Sequence, residues 1–272
     1  MGCVPNITIP QLQAMKGKEK IVALSLYTQP MAQLCDPIVD IILVGDSLGM
    51  VLYGFDSTLP VTLDMMIQHG RAVATTTTHA LSVIDMPFGT VENNINSAIK
   101  NCHRVLDKTG AKAVKIEGGQ DMAKTISAIC EKKIPVMGHI GMLPQRAKDF
   151  GGFKTQGLES DSWQNIINDA IAIEKAGVFA IVIESVVADL ASEITKAVKI
   201  PTIGIGASKI CDGQILVADD MLGLTYHQKK SPRFVRRFTE LDNIIIHATK
   251  HFATSVKGGD FPNDNETYKK IK

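Results

Sequence analysis

The chain has 272 residues, 45% of them hydrophobic and 21% charged, with 29 basic against 28 acidic residues and a net charge of +1. This length and composition suit a globular protein with a sizeable core, built as one large domain or two small ones. Balanced charge gives no electrostatic reason for binding nucleic acid or an anionic membrane, and no apolar run approaches the ~20 residues of a membrane helix.

The chain starts MGCVPNITIP, without the basic-then-apolar order of a leader. Five widely spaced cysteines (Cys3, Cys35, Cys102, Cys130, Cys211) include no C-x-x-C pair. They suit neither a disulfide framework nor a zinc site, and are read as reduced thiols of a cytoplasmic protein.

Short Val- and Ile-rich runs without polar alternation predict eight strands buried on both faces. They begin near Ile21, Ile41, Leu81, Ala113, Ile134, Phe179, Thr202 and Ile215. Helical spacing recurs between them: Ile95, Ile99, Cys102 and Leu106 before Gly110, then Met122, Ile126 and Ile129 before Pro135. The clearest helix spans Trp163 to Ala176, with Ile166, Ile167, Ala170 and Ile173 on one face, Ser162 or Asp161 to cap it and Gly177 to end it. Leu190, Ile194 and Ala197 mark another before Pro201.

Strands alternating with helices and no long linker predict a single-domain (β/α)8 TIM barrel over residues 1–272, with a short N-terminal segment and a flexible tail from about residue 255. An open doubly wound sheet is the alternative. It would carry a glycine-rich turn after the first strand, where this chain has Leu26-Tyr27-Thr28. The stretch from Gly138 to Gly157 is long and broken by Gly and Pro, which makes it a candidate lid. Thr75 to Thr78 form a run of four threonines that the pattern does not explain.

Five of the apolar runs end in polar or ionisable residues: Asp46-Ser47, Asp85, Lys115 with Glu117, His139, and Glu184. An unpaired charge is costly to desolvate, so these ends are expected to converge on one polar site at the carboxyl end of the barrel. Asp46 and Asp85 fall on neighbouring strands. Two close carboxylates repel unless a proton or cation lies between them, and a hard divalent ion such as Mg²⁺ suits oxygen ligands. Either aspartate alone would read equally as the cap of a turn. Lys115 and Glu117 alternate with Ile116 and therefore share the inner face of the fourth strand. A lysine there can balance a substrate carboxylate, or simply form an ion pair with Glu117. His139 reads as either a core histidine or a site residue. Glu184, pressed against AIVI, suits a general base because apolar surroundings raise a carboxylate pKa. The run Gly204 to Ser208 (GIGAS) fits a phosphate loop or close backbone packing.

The string LVGDSLGMVLYGFDSTLPVTLDMM, from Leu43 to Met66, resembles the ketopantoate hydroxymethyltransferase family. The likeness continues through DMPF at Asp85, KIEGG at Lys115, GHIGMLPQ at His139, FGGFKTQG from Phe150, IVIES at Glu184, IPTIGIGAS from Ile200 and CDGQILV from Cys211. It implies a barrel of the phosphoenolpyruvate mutase and isocitrate lyase type, a homo-oligomer (a decamer in that family), Mg²⁺, and 5,10-methylenetetrahydrofolate as co-substrate. It further implies Asp46, Asp85 and Glu117 at the metal, Asp46, Ser47, Asp85, Lys115 and His139 at the substrate, and Glu184 as the base. The implied reaction is hydroxymethyl transfer to 3-methyl-2-oxobutanoate through a Mg²⁺-stabilised enolate, giving 2-dehydropantoate for pantothenate biosynthesis. Thr28 and Ser208 depart from the family pattern. The alternatives are a related Mg²⁺-dependent 2-oxo acid lyase and a catalytically inactive barrel.

Overall fold

The computed structural model describes residues 6–149, 151–225 and 232–269. Cys3, Phe150 and the last three residues of the tail lie outside the described residues. The chain divides into two compact units, Met1–Ala218 and Asp219–Lys272.

In chain order α1 (Ile9–Ala14) precedes β1 (Ile21–Ser25), α2 (Gln29–Cys35), β2 (Ile41–Val44), α3 (Leu48–Val51), α4 (Leu63–Ala74), β3 (Leu81–Asp85), α5 (Ile95–Thr109), β4 (Ala113–Glu117), α6 (Ala123–Glu131) and β5 (Val136–Gly141). Two 3-10 turns, Pro144–Arg146 and Ser160–Ser162, lead to α7 (Trp163–Ala176), β6 (Ala180–Glu184), α8 (Ala188–Ala197), β7 (Thr202–Ile205) and β8 (Gly213–Val217). The short α9 (Ala218–Leu222) and long α10 (Leu241–Gly258) complete the order.

Each strand pairs in parallel with the next, and β8 pairs with β1, so the sheet is a closed eight-stranded barrel with helices between the strands. Closure excludes the open doubly wound sheet. The eighth strand starts at Gly213, earlier than expected, and stops at Val217. The acidic pair Asp219-Asp220 that follows lies in the first turn of α9, where negative charge is favoured.

Alternation along the strands organises the interior. Ile21 and Ala23, Ile41 and Leu43, Leu81 and Val83, Ala180 and Val182, with Ala113, Met137, Ile203 and Ile215, form one apolar cluster. One inward step further along the same strands come Ser25, Gly45, Asp85, Lys115, His139 and Glu184. The lower barrel is thus filled by hydrocarbon, while its carboxyl end presents polar groups on the same inward face.

Helix faces follow the expected periodicity with one offset. Helix α7 has the expected bounds, buries Ala170, Ile173 and Ala176, and ends at left-handed Gly177. Its expected cap differs: Ser162 has helical backbone angles and makes no capping bond, because its hydroxyl donates back to Glu159 O within the preceding turn. In α5 the buried stripe is Ala98, Cys102, Val105 and Thr109, so the larger Ile95, Ile99 and Leu106 flank the contact line.

The threonine run has a structural explanation. Thr75 Oγ donates to Arg71 O, while Thr76 Oγ and Thr77 Oγ both reach Val73 O. These hydroxyls add second donors to Arg71 O and Val73 O, which also accept from Thr75 N and Thr76 N at the end of α4. Thr78 instead donates its N–H and hydroxyl to buried Asp36.

In the second unit α10 buries none of its residues, and Ile244, Ile245, Phe252 and Val256 are exposed. No helix among the described residues is long and apolar enough to cross a membrane.

Candidate active site

Parallel register aligns the polar strand ends. Asp85 lies opposite Lys115, Glu117 opposite His139, and Glu184 opposite Gly141. Asp46 differs from the others in lying two residues beyond β2, in the Gly45-Asp46-Ser47 turn rather than on the strand. The turn still brings it to β3, since its backbone N–H donates to Asp85 Oδ2 at 3.1 Å.

Lys115 Nζ lies 2.5 Å from Asp85 Oδ1 and 3.3 Å from His139 Nδ1. His139 Nδ1 is also 3.3 Å from Glu117 Oε1, and its Nε2 is 3.2 Å from Glu184 Oε2. These two carboxylate contacts are at ion-pair distance without hydrogen-bond alignment. Glu117 Oε1 and His139 Nε2 remain buried polar atoms with no hydrogen-bond partner. Buried polar atoms are rarely left in that condition outside functional sites. Glu184 is 15% exposed at its side chain against 3% for both Asp85 and Glu117, so it sits nearest the open end of the cluster.

The charges do not balance easily. Burial, then repulsion from Asp85 and Glu117, pushes the Asp46 carboxyl well above its ordinary pKa. Burial also raises Asp85, against the opposing influence of Lys115. Glu117 goes the other way: burial is outweighed by His139, Lys115 and the Gln145 N–H, and its pKa is lowered. For His139, burial and Lys115 oppose protonation, but Glu117 and Glu184 outweigh them and push its pKa up to about 9. Lys115 is buried as well, and its carboxylate neighbours hold it firmly protonated.

Gln145, Tyr27 and Ser25 escaped the sequence reading because they carry no charge. Gln145, on the turn after β5, donates Nε2 to Asp46 Oδ2 (2.9 Å) and Met86 O (3.0 Å), and its backbone N–H to Glu117 Oε2 (3.1 Å). Tyr27 and Ser47 share a 2.7 Å hydrogen bond between their hydroxyls. Ser25 Oγ is buried without a hydrogen-bond partner. A Cβ at Gly45 would lie 2.8 Å from Ser25 Oγ and 2.9 Å from Ser47 Oγ, so glycine leaves open the space in front of these hydroxyls. Proline beside Gln145 and the quoted GHIGMLPQ block were the only sequence signals for that residue.

The backbone around Glu184 is also unusual. Ser185 adopts φ 48°, a left-handed conformation costing a non-glycine residue about 1–3 kcal/mol. Its N–H donates to Ile205 O, and its carbonyl accepts from Gln156 N. The end of the candidate lid is thereby tied to the strand that carries Glu184, through the Gln156–Val186 bridge. At Gly141 a Cβ would collide with Glu184 O, so glycine allows β5 and β6 to approach there.

Neither departure touches the cluster. Thr28 occupies the N-cap position of α2 without a side-chain capping bond. Ser208 is buried in its own turn, its hydroxyl accepting from Ile210 N and its carbonyl from Gln214 Nε2. Within the GIGAS run a Cβ at Gly204 would lie 3.1 Å from Gln214 Nε2 and 3.2 Å from Cys211 Sγ, so glycine admits close packing there.

A closed parallel barrel carrying a buried acid–base cluster at the carboxyl ends of its strands defines a TIM-barrel enzyme. Its sequence narrows the class further: a family model for ketopantoate hydroxymethyltransferase matches residues 6–264. The chain belongs to the ketopantoate hydroxymethyltransferase family. It is 52% identical over 266 residues to the 3-methyl-2-oxobutanoate hydroxymethyltransferase of Bartonella tribocorum, covering 98% of this chain and 97% of that one. The enzyme of the same name from Brucella canis is 49% identical, covering 97% and 95%. Among solved structures, phosphonopyruvate hydrolase in complex with oxalate and Mg²⁺ matches with a TM-score of 0.61 and 14% identity, covering 95% and 92%. A 2,3-dimethylmalate lyase of the phosphoenolpyruvate mutase/isocitrate lyase superfamily matches at 0.60 and 12%, covering 96% and 91%. These last two share the fold.

Proposed function

We propose that the chain is a 3-methyl-2-oxobutanoate hydroxymethyltransferase of pantothenate biosynthesis. In this reading it joins the methylene carbon of 5,10-methylenetetrahydrofolate to C3 of 3-methyl-2-oxobutanoate and, with water, releases 2-dehydropantoate and tetrahydrofolate. The observation that carries the reading is the Glu184–His139–Glu117 and Lys115–Asp85 chain of contacts at the carboxyl end of the barrel, in a member of this family.

Among the described residues, no group of three or more His, Cys, Asp or Glu side chains forms a ready metal cluster. Asp85 already holds Lys115 and the Asp46 N–H, and Asp46 holds Gln145. The donor set nevertheless fits a hard divalent cation. Its oxygens are carboxylate, Asp46 is pushed towards protonation by burial and then by its acidic neighbours, and Glu117 Oε1 lacks a hydrogen-bond partner. Asp46 and Asp85 would hold Mg²⁺, with Glu117 beside them. When bound, Mg²⁺ supplies Lewis-acid polarisation of the 2-oxo group.

The chain's own residues account for the rest. Glu184 removes the C3 proton, and its nearness to the open end of the cluster lets it meet substrate. His139, protonated at neutral pH, faces Glu184 and can hold that carboxylate in place. Lys115 balances the substrate carboxylate, and Ser47, oriented by Tyr27, offers a hydroxyl beside it. The C3 carbon then bonds to the folate methylene as one of its two C–N bonds breaks, and water replaces the second nitrogen to give the hydroxymethyl group, both nitrogens leaving protonated in tetrahydrofolate. The reading extends to a homo-oligomer, decameric as the family implies and supported by the exposed apolar residues of α10, and to a cytoplasmic location.

Proton NMR of the protein with Mg²⁺, 3-methyl-2-oxobutanoate and methylenetetrahydrofolate tests the proposal. Metal-dependent appearance of 2-dehydropantoate is expected. Turnover of the oxo acid without folate would instead indicate a related lyase, and a folded protein that leaves substrate untouched would indicate an inactive barrel.

A further inference from the structure

Gln145 is an uncharged side chain only 6% exposed, placed among carboxylates that repel one another. A glutamine used only as a strut would satisfy its amide on backbone. Here one donor goes to Met86 O just past β3 and another to the Asp46 carboxylate past β2, while the residue's own N–H binds the Glu117 carboxylate on β4. Both acceptors of Nε2 are oxygens, which sets the orientation of the amide.

The turn that delivers it is well defined. Pro144 opens the 3-10 turn, Arg146 N donates to Leu143 O, and the Arg146 guanidinium pairs with Asp121 at 2.5 Å. One residue of the β5–α7 connection thereby links the ends of β2, β3 and β4. Each carboxylate it touches has a second oxygen, so the contacts can orient Asp46 and Glu117 without consuming them.

We propose that Gln145 is a positioning residue that holds Asp46 and Glu117 in the orientation in which they receive a divalent cation. This rests on the Mg²⁺ reading above. Partners hydrogen-bonded to metal-ligating carboxylates govern metal affinity, and losing one typically costs roughly 10–100-fold.

The test uses Mn²⁺ alone, without substrate, titrated into the full chain and followed by the EPR signal of free ion. Gln145→Met keeps the volume and removes both side-chain donors, and Gln145→Ala is the second variant. The expected result is a Kd for Mn²⁺ raised roughly 10–100-fold, with the metal-free melting temperature shifted by less than about 4 °C. Unchanged Mn²⁺ affinity in either folded variant overturns the proposal, as does failure of both variants to fold, which would make Gln145 a structural strut. A wild-type chain that binds no Mn²⁺ overturns the metal reading itself, and the proposal with it.

Discussion

Buried carboxylates occur at both ends of this barrel, and they are treated in opposite ways. At the amino end, Asp36 accepts from Thr78 N, Thr78 Oγ, His79 N and Ala80 N, and Asp212 accepts from Lys16 Nζ, Gly17 N, Thr202 N and Thr202 Oγ. Each closes loops onto the strand that follows. At the carboxyl end, Asp46, Asp85, Glu117 and Glu184 share one lysine and one histidine, and two polar atoms among them go without hydrogen-bond partners. Satisfied carboxylates stabilise the fold. The unsatisfied ones are retained against a stability cost, as expected where a ligand is to be bound.

The largest effect expected from breaking this contrast is catalytic. Glu184→Gln should lower C3 proton exchange, read by deuterium incorporation into the 2-oxo acid, by roughly 10²–10⁴-fold. Substrate affinity should be retained. Unchanged exchange would shift the base to another residue, His139 first.

At the opposite end, Asp36→Asn should destabilise the protein by about 3 kcal/mol in urea unfolding, because an amide presents donors to the N–H groups of Thr78, His79 and Ala80. Activity per folded molecule should be unaltered. A loss below about 0.5 kcal/mol would mean that the network is dispensable.

Asp46→Asn should do the reverse, abolishing activity while stabilising the metal-free protein by about 1 kcal/mol at neutral pH. The sign follows from linkage. Asp46 has its folded pKa raised, so the native state holds an extra proton above the ordinary value, and stability falls as pH climbs through that window. Asp212 has its pKa lowered, because Lys16, Thr202 and Gly17 outweigh the effect of burial. Its contribution is present above the ordinary value near 3.8 and is lost as pH falls through the lowered one. Melting curves at about pH 2 and pH 7 should therefore show the Asp46→Asn gain growing with pH, while an Asp212→Asn loss shrinks in acid. Parallel shifts at both pH values would remove the electrostatic explanation.

The smallest effect concerns backbone. Ser185→Gly relieves the left-handed strain but adds unfolded-state freedom, so stability should lie within about 1 kcal/mol of wild type, on the stabilising side. A fall in kcat without a fall in stability would show that the held conformation aims Glu184.

Much of the site was legible because ionisable residues at the ends of apolar strands are conspicuous and strand alternation gives their direction. Lys115 and Glu117 share a face simply because they are two apart on β4. Gln145 and Ser25 were not legible, since a neutral amide in a loop and a serine in an apolar strand look ordinary until their partners are known. Asp36 was equally hidden: its four donor contacts come from residues some forty positions away. The offset in α5 had a similar origin, because bulky Ile95 and Ile99 dominate the pattern while small Ala98 permits the closest approach.

By itself the sequence determined the number, order and burial of the strands, and which of their ends carry acid–base groups. Those properties follow from local periodicity and from the cost of burying a lone charge. Only the tertiary structure decided which charge meets which: Lys115 against Asp85, His139 between Glu117 and Glu184, and Gln145 across Asp46 and Glu117. Those pairings depend on barrel closure, strand register and the path of one loop, none of which is written in the spacing of residues along the chain.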